Sequence, residues 1–370
     1  MAIGRWNDTI HIEPEDFASF WQQRLTKKRN VLAVCGVGWD PRMTVLLKTL
    51  KEFGGTGSRQ LCLIDYKPSS SHVGSQQKLI DMNLKKLDII VKGWMEKQKI
   101  EIITRREDNS YAGDERIARK FRNFDISPYK DIVVDISALP KSLYFSLLLV
   151  LVEKCIRASN PVNLHVIVCQ DVDLDGRITE SIDDVRLLRG FEGRFKLFQS
   201  QQNMPKIWAP VLTGNSLSVI TKLFEYLQPK DIYPVLPFPA LNPRTDDDLL
   251  LEYHSILADT WQLNPMNIIY AAEDDPLDIY RSLVNLYRQQ KETLEPLGGI
   301  LIAFSCLAGK ISSLGAFMAA FEIGKDAAVA HAIGHHKLNV DDVEKYWSQD
   351  YQNSFGRSLH SIWLTGEPYE

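Results

Sequence analysis

Cysteine is scarce in this sequence. Five occur in 370 residues, at Cys35, Cys62, Cys155, Cys169 and Cys306. An odd number with no closely spaced pair excludes a disulfide framework and a cysteine-based zinc knuckle. Four of them stand in or beside apolar runs, as small core residues in a reducing compartment do. Long apolar runs are also missing: the most hydrophobic helix candidate, Leu143 to Val152, is too short to span a bilayer. The opening Met-Ala-Ile-Gly-Arg-Trp shows no basic region followed by an apolar stretch, so no secretory signal is expected and the location is read as cytoplasmic. Nor does one sign of charge dominate. The 43 basic and 47 acidic side chains are closely mixed and leave a net charge of -4. That balance lacks the basic footprint of a dedicated nucleic-acid binder.

What is present suits a large core: 45% of the residues are hydrophobic and 24% charged, enough for two domains of ordinary size. The first clear strand is Asn30 to Cys35, almost wholly apolar, as a strand covered on both sheet faces should be. Further strands are expected at Gln60–Ile64, Ile100–Ile103, Ile132–Val134 and Leu164–Val168, with a strong helix from Lys141 to Arg157. Between Asp171 and Pro205 the chain turns polar, and the pattern then restarts. Strands are expected at Ile207–Leu212, Ile232–Leu236, Asn267–Ala271, Ile300–Phe304 and Ala327–Ile333. Four helices alternate with them, over Ser216–Leu227, Asp247–Asp259, Leu277–Leu294 and Ser312–Phe321.

Alternation of this kind is the signature of repeated βαβ units. The expected fold is therefore α/β, with two Rossmann-like, mostly parallel open sheets and helices on both faces; one continuous sheet is the alternative. The expected organisation is an N-terminal arm (1–29), a first domain with its connection (30–200), a second domain (201–340) and a helical or irregular tail (341–370).

Candidate functional residues fall at the expected strand ends. Gly36-Val37-Gly38 joins a strand to a helix, where glycine permits a tight turn and close ligand approach. Asp65 ends the next strand, a position suited to ribose hydroxyls, and Asp135 ends the fourth. The dinucleotide fingerprint is incomplete, because Pro41 stands where its third glycine would be. Asp40 and Arg42 also read as a surface ion pair, and Ser137 as a cap for the long helix.

In the second half, Gly214 lies in a small polar turn before a helix, Arg244 offers a bidentate fork for an anion, and Lys310 follows Gly309 at a strand-to-helix turn. Asp246, Asp247 and Asp248 fit the positive end of a helix better than a metal site. His331, His335 and His336 are expected in a terminal strand and its exit loop, without the further ligand and enclosure that zinc needs. No residue pair identifies a general acid and base, so no catalytic or metal residue is assigned.

The functional expectation is binding of a nucleotide or phosphorylated small molecule in a cleft between the two domains, a nucleotide-derived ligand being the cofactor class. Group transfer is its enzymatic form. The alternative is a non-enzymatic nucleotide sensor or assembly component, with a protein partner for the arm and tail and no membrane.

Overall fold

The computed structural model describes residues 4–67, 74–94, 96–197, 204–338 and 343–369. The chain divides into two units, Met1–Thr179 with His336–Glu370, and Glu180–His335.

The first unit opens with β1 (Ile10–Ile12) and α1 (Pro14–Leu25), then β2 (Val31–Gly36), whose six residues are all buried. Next come α2 (Val45–Phe53), β3 (Arg59–Lys67), α3 (Gly74–Ile90) and β4 (Glu96–Ile103). After them follow α4 (Gly113–Arg122), β5 (Asp131–Asp135), α5 (Lys141–Arg157) and β6 (Asn163–Cys169). β2 pairs in parallel with both β3 and β5, while β4 extends β3 and β6 extends β5. The chain thus leaves β2 in one direction for β3 and β4, then returns to β2's other side for β5. α3 ends at Ile90, and Gly93, at φ +95, follows it.

Asp171–Pro205 contains more structure than its polar composition suggests, with α6 (Val172–Gly176) and the strand β7 (Ile178–Leu187).

The second unit repeats the plan. β8 (Lys206–Val211), α7 (Leu217–Leu227), β9 (Asp231–Ile232), β10 (Val235–Pro237) and α8 (Thr245–His254) come first. β11 (Ile269–Ala271), α9 (Pro276–Leu294), β12 (Leu301–Cys306), α10 (Lys310–Ile323) and β13 (Ala327–Leu338) follow. The sheet runs β11-β10-β8-β12-β13-β7, with β9 beside β8. Here too the strand that begins the alternation of strands and helices, β8, sits between the two directions of winding. The strand expected over Ile232–Leu236 is two short ones, because Tyr233 and Pro234 separate β9 from β10. β13 continues through His335 and His336, which were expected in an exit loop.

The chain then re-enters the first unit through α11 (Val343–Tyr346), α12 (Gln349–Ser354) and β14 (Leu359–Thr365). β14 lies antiparallel between β1 and β6, although this stretch reads as helical or irregular in sequence. Its pairing satisfies the backbone edge that β6 would otherwise expose, and all seven of its residues are buried. α1 is likewise packed into this unit, with Phe17, Trp21 and Leu25 in one cluster with Val133, Ile167 and Trp363. The fold is therefore two mixed, mostly parallel sheets, each flanked by helices. No helix among the described residues is long and apolar enough to cross a membrane.

Candidate functional site

In an open parallel sheet, ligands gather beyond the carboxyl ends of strands where the winding reverses. In the first unit that place lies between β2 and β5. Gly36, Gly38 and Asp135 lie there; Asp65 is one strand away and stands inside β3, which runs on to Lys67 rather than ending at Asp65. Each is already engaged by the chain itself.

A β-carbon at Gly36 would stand 2.6 Å from Cδ2 of Leu139 and 3.1 Å from the Ala138 carbonyl. The loop after β5 thus folds over the glycine and closes the crevice with Leu139, which is 2% exposed. At Gly38 the nearest neighbour would be the Tyr66 hydroxyl at 3.4 Å, an ordinary contact. This difference gives a direct expectation. Gly36→Ala should lower the stability of the ligand-free protein by about 1–3 kcal/mol through overpacking, and Gly38→Ala should change it by less than about 0.5 kcal/mol. Urea unfolding of both variants checks this, and equal midpoints would refute it.

The turn ends at Asp40, whose carboxylate accepts from the Arg42 amide at 2.9 Å and so caps the 3-10 turn Pro41–Thr44. Asp40 and Arg42 are an ion pair, but a buried one. Arg42 is 1% exposed, lies 2.8 Å from Asp40, donates to the Cys169 carbonyl at 3.3 Å and meets Asp175 at 2.9 Å. Asn83 donates to the carbonyls of Gly38 and Asp40. Asp65 pairs with Lys99 at 2.7 Å. Asp135 accepts from the Ser137 amide at 2.9 Å. Ser137 does not cap α5; its hydroxyl accepts from the Cys169 amide and ties β5 to β6. Tyr66, which sequence reading passed over, stands in this acidic surround. Burial, with Asp40 and Asp65 nearby, pushes its phenol well above the usual range, so it remains a hydrogen-bond donor.

The second unit's reversal lies between β8 and β12, and there a pocket of about 40 Å³ opens at the strand ends. Its wall takes Val211–Thr213 at the end of β8, Val235–Pro237 of β10, Ala271 and Glu273 at the end of β11, and Ala308, Gly309 and Ser312 at the start of α10. Thr245 and Leu249 of α8 and Ile279 of α9 complete it. The sequence-derived candidates lie one residue outside this wall: Thr213 precedes Gly214, Thr245 follows Arg244, and Gly309 precedes Lys310. Arg244 is exposed where α8 begins, its amide donating to Asn242 at 3.2 Å.

Gly214 belongs to a loop held by α8. The Asn215 amide donates to Glu252 at 2.8 Å, the Ser216 amide to the Tyr253 hydroxyl at 3.2 Å, and that hydroxyl donates to the Thr213 carbonyl at 2.6 Å. An internal carboxylate thus occupies the start of α7. Burial, with Glu252 beside it, pushes the Tyr253 phenol up to about 12 and keeps it a donor.

The start of α10 is different. Gly309 is its N-cap, with extended backbone and no side-chain cap, and a β-carbon there would meet nothing within 4 Å. Glu273 is the one ionisable side chain in the wall; it accepts from the Leu241 amide at 2.9 Å, and the Ser312 hydroxyl donates to its carbonyl at 3.3 Å. Among the described residues no three His, Cys, Asp or Glu side chains converge to hold a metal ion.

No family model and no curated protein matches the chain. Among solved structures, a universal stress protein from Archaeoglobus fulgidus overlays 84% of this chain and 97% of its own length, at 11% identity and a TM-score of 0.22. A putative uncharacterized protein from Mycobacterium paratuberculosis overlays 91% and 97%, at 7% identity and the same score. Overlays this loose transfer neither architecture nor activity, and the Rossmann-like description rests on the strand orders above.

Proposed function

We propose that the chain binds a nucleotide or phosphorylated small molecule at the strand-end pocket of its second unit. The observation that carries this reading is that the pocket lies at the carboxyl end of β8, beside which the winding reverses toward β12, and at the start of α10, whose N-cap Gly309 has no side chain. Helix N-termini present amide groups that favour anions, and Gly309 leaves them open to approach. At about 40 Å³ the pocket has the scale of a few waters. One small group of the ligand would seat in it and the remainder would lie over the loops outside, near Arg244 and the exposed Phe238 and Leu241. Binding without turnover suits the wall better than group transfer, because its single carboxylate, Glu273, is already hydrogen-bonded and has no acid–base partner there.

Gly309→Leu places a side chain into the open space at a cost of up to about 1 kcal/mol as a poorer cap. After a native mass spectrometry screen against nucleotide mixtures, affinity for the retained nucleotide should fall at least about tenfold in this variant, roughly 1.4 kcal/mol. The competing location is the first unit's crevice with Gly36, Gly38, Asp65 and Asp135, so Asp65→Asn belongs in the same titration and is expected to bind as the parent does. Undiminished binding by Gly309→Leu, or a loss in Asp65→Asn instead, would remove the pocket from the reading.

A further inference from the structure

The opposite edge of the first sheet carries a second feature. Lys27, Lys28, Arg29 and Asn30 lead into β2, and Pro128 and Lys130 lead into β5. Because β2 and β5 are parallel neighbours, the two approaches converge and line a concavity of about 440 Å³, within the size range of small-molecule sites. We propose that this concavity binds a compact polyphosphate.

The charge balance supplies the argument. Arg24 and Arg29 are held by Asp131 and Glu367, and Lys130 lies 3.5 Å from Glu367. Lys27 and Lys28 are exposed and have no carboxylate partner among the described residues. Arg59 joins them, donating to the Arg29 carbonyl at 3.0 Å, so six cations stand around two carboxylates, an excess of four positive charges. The carbonyl end of α1, just before Lys27, supplies only about half a negative charge. A ligand carrying three or four negative charges in the concavity would relieve the mutual repulsion. Lysine ammonium groups serve as mobile point charges for phosphate oxygens, whereas Arg29 is already held by Glu367 at 2.9 Å and Asp131 at 3.4 Å. No aromatic ring lines the wall. Single-stranded nucleic acid is bound largely by stacking on such rings, so a small polyphosphate fits better than an oligonucleotide.

Inorganic tripolyphosphate is the probe, titrated calorimetrically into the whole chain. The native protein should bind it, more weakly as salt rises. The double variant Lys27→Gln, Lys28→Gln should weaken binding at least about tenfold while its unfolding midpoint stays within a degree or two of the parent's. Gly309→Leu should bind tripolyphosphate as the native chain does, which separates this site from the second unit's pocket. Absence of binding to native protein, or binding unchanged in the double lysine variant, overturns the proposal. Tighter, lysine-dependent binding of a single-stranded oligonucleotide than of tripolyphosphate also overturns it, reassigning the surface to nucleic acid.

Discussion

Asp131→Asn is expected to destabilise the first unit by about 3–5 kcal/mol, the loss typical of removing one partner from a buried ion pair. Asp131 is fully buried where β5 begins. Arg24 donates to it through Nε at 2.9 Å and through Nη2, and Arg29 stands 3.4 Å away. Both guanidinium groups are themselves nearly buried. With asparagine in place, their remaining carboxylate is Glu367, which is 27% exposed and lies 3.1 Å from Arg24 and 2.9 Å from Arg29. The cost is desolvated positive charge left half-compensated, against a total stability of only about 5–15 kcal/mol for a typical domain. The same network joins three distant parts of the chain: α1, the start of β5 and the segment after β14. Chemical unfolding followed by tryptophan fluorescence reports it directly, since Trp21 and Trp363 lie in the same unit's core. A loss below about 1 kcal/mol would mean that Glu367 and solvent compensate both arginines unaided.

That network also marks where sequence reading stops. The apolar runs of β2, β5, β6, β8 and β12 are legible because strands buried on both faces must be hydrophobic throughout. β14 is not: His360, Ser361 and Thr365 interrupt its apolar pattern, and His360 and Thr365 find their partners far away in sequence. Thr365, for one, donates to the Val162 carbonyl at 3.1 Å. β1 has three residues and no local signal, and it exists because β14 is beside it.

The candidate sites divide in the same way. Strand ends are predictable from strands, so Gly36, Asp65, Asp135, Gly214 and Lys310 all fall at carboxyl edges. What fills each edge is not. The spacing around Gly36 cannot show that Leu139, on another loop, takes the room a β-carbon would need. Asp40 and Arg42 look like a surface pair two residues apart, and become a buried one only because Cys169 and Asp175 close over them. Gly309 was legible as part of a Gly-Lys turn. Its openness was not, because that depends on Val211 and β10 standing across the pocket.

Acidification should begin to destabilise the first unit above the range where carboxylates titrate, and buried histidines are the cause. His165 is fully buried, its ring packed between Trp21 and Trp363 at centroid distances of 4.8 and 4.9 Å, with Nε2 3.7 Å from Asp131. Burial dominates, and it lowers the imidazole to about 4 despite the opposing pull of Asp131. His360 of β14 is stacked on His11 with a 3.1 Å contact between ring nitrogens, and burial together with His11 lowers it to about 3. In the unfolded chain both take up protons near pH 6.5. Below that pH the unfolded state binds more protons than the native state, so stability falls as pH falls, by about 1.4 kcal/mol per unit for each histidine. For His165 the loss runs from about pH 6.5 down to its folded value near 4, a total on the order of 3 kcal/mol. Asp131 acts in a lower window. Burial opposes its ionisation, but His165 and Arg24 outweigh that and hold its carboxyl down at about 2. Its contribution is therefore intact above pH 4 and lost as pH falls toward 2. Unfolding free energies measured at pH 7.5, 6 and 5 should accordingly decline before any carboxylate protonates. His165→Phe keeps an aromatic ring in the box and removes the titration. Its stability should depend on pH less steeply than the parent's by about 1.4 kcal/mol per unit between pH 6 and 5. Identical slopes for the two proteins would show that His165 is protonated in the native state or that the acid-sensitive groups lie elsewhere.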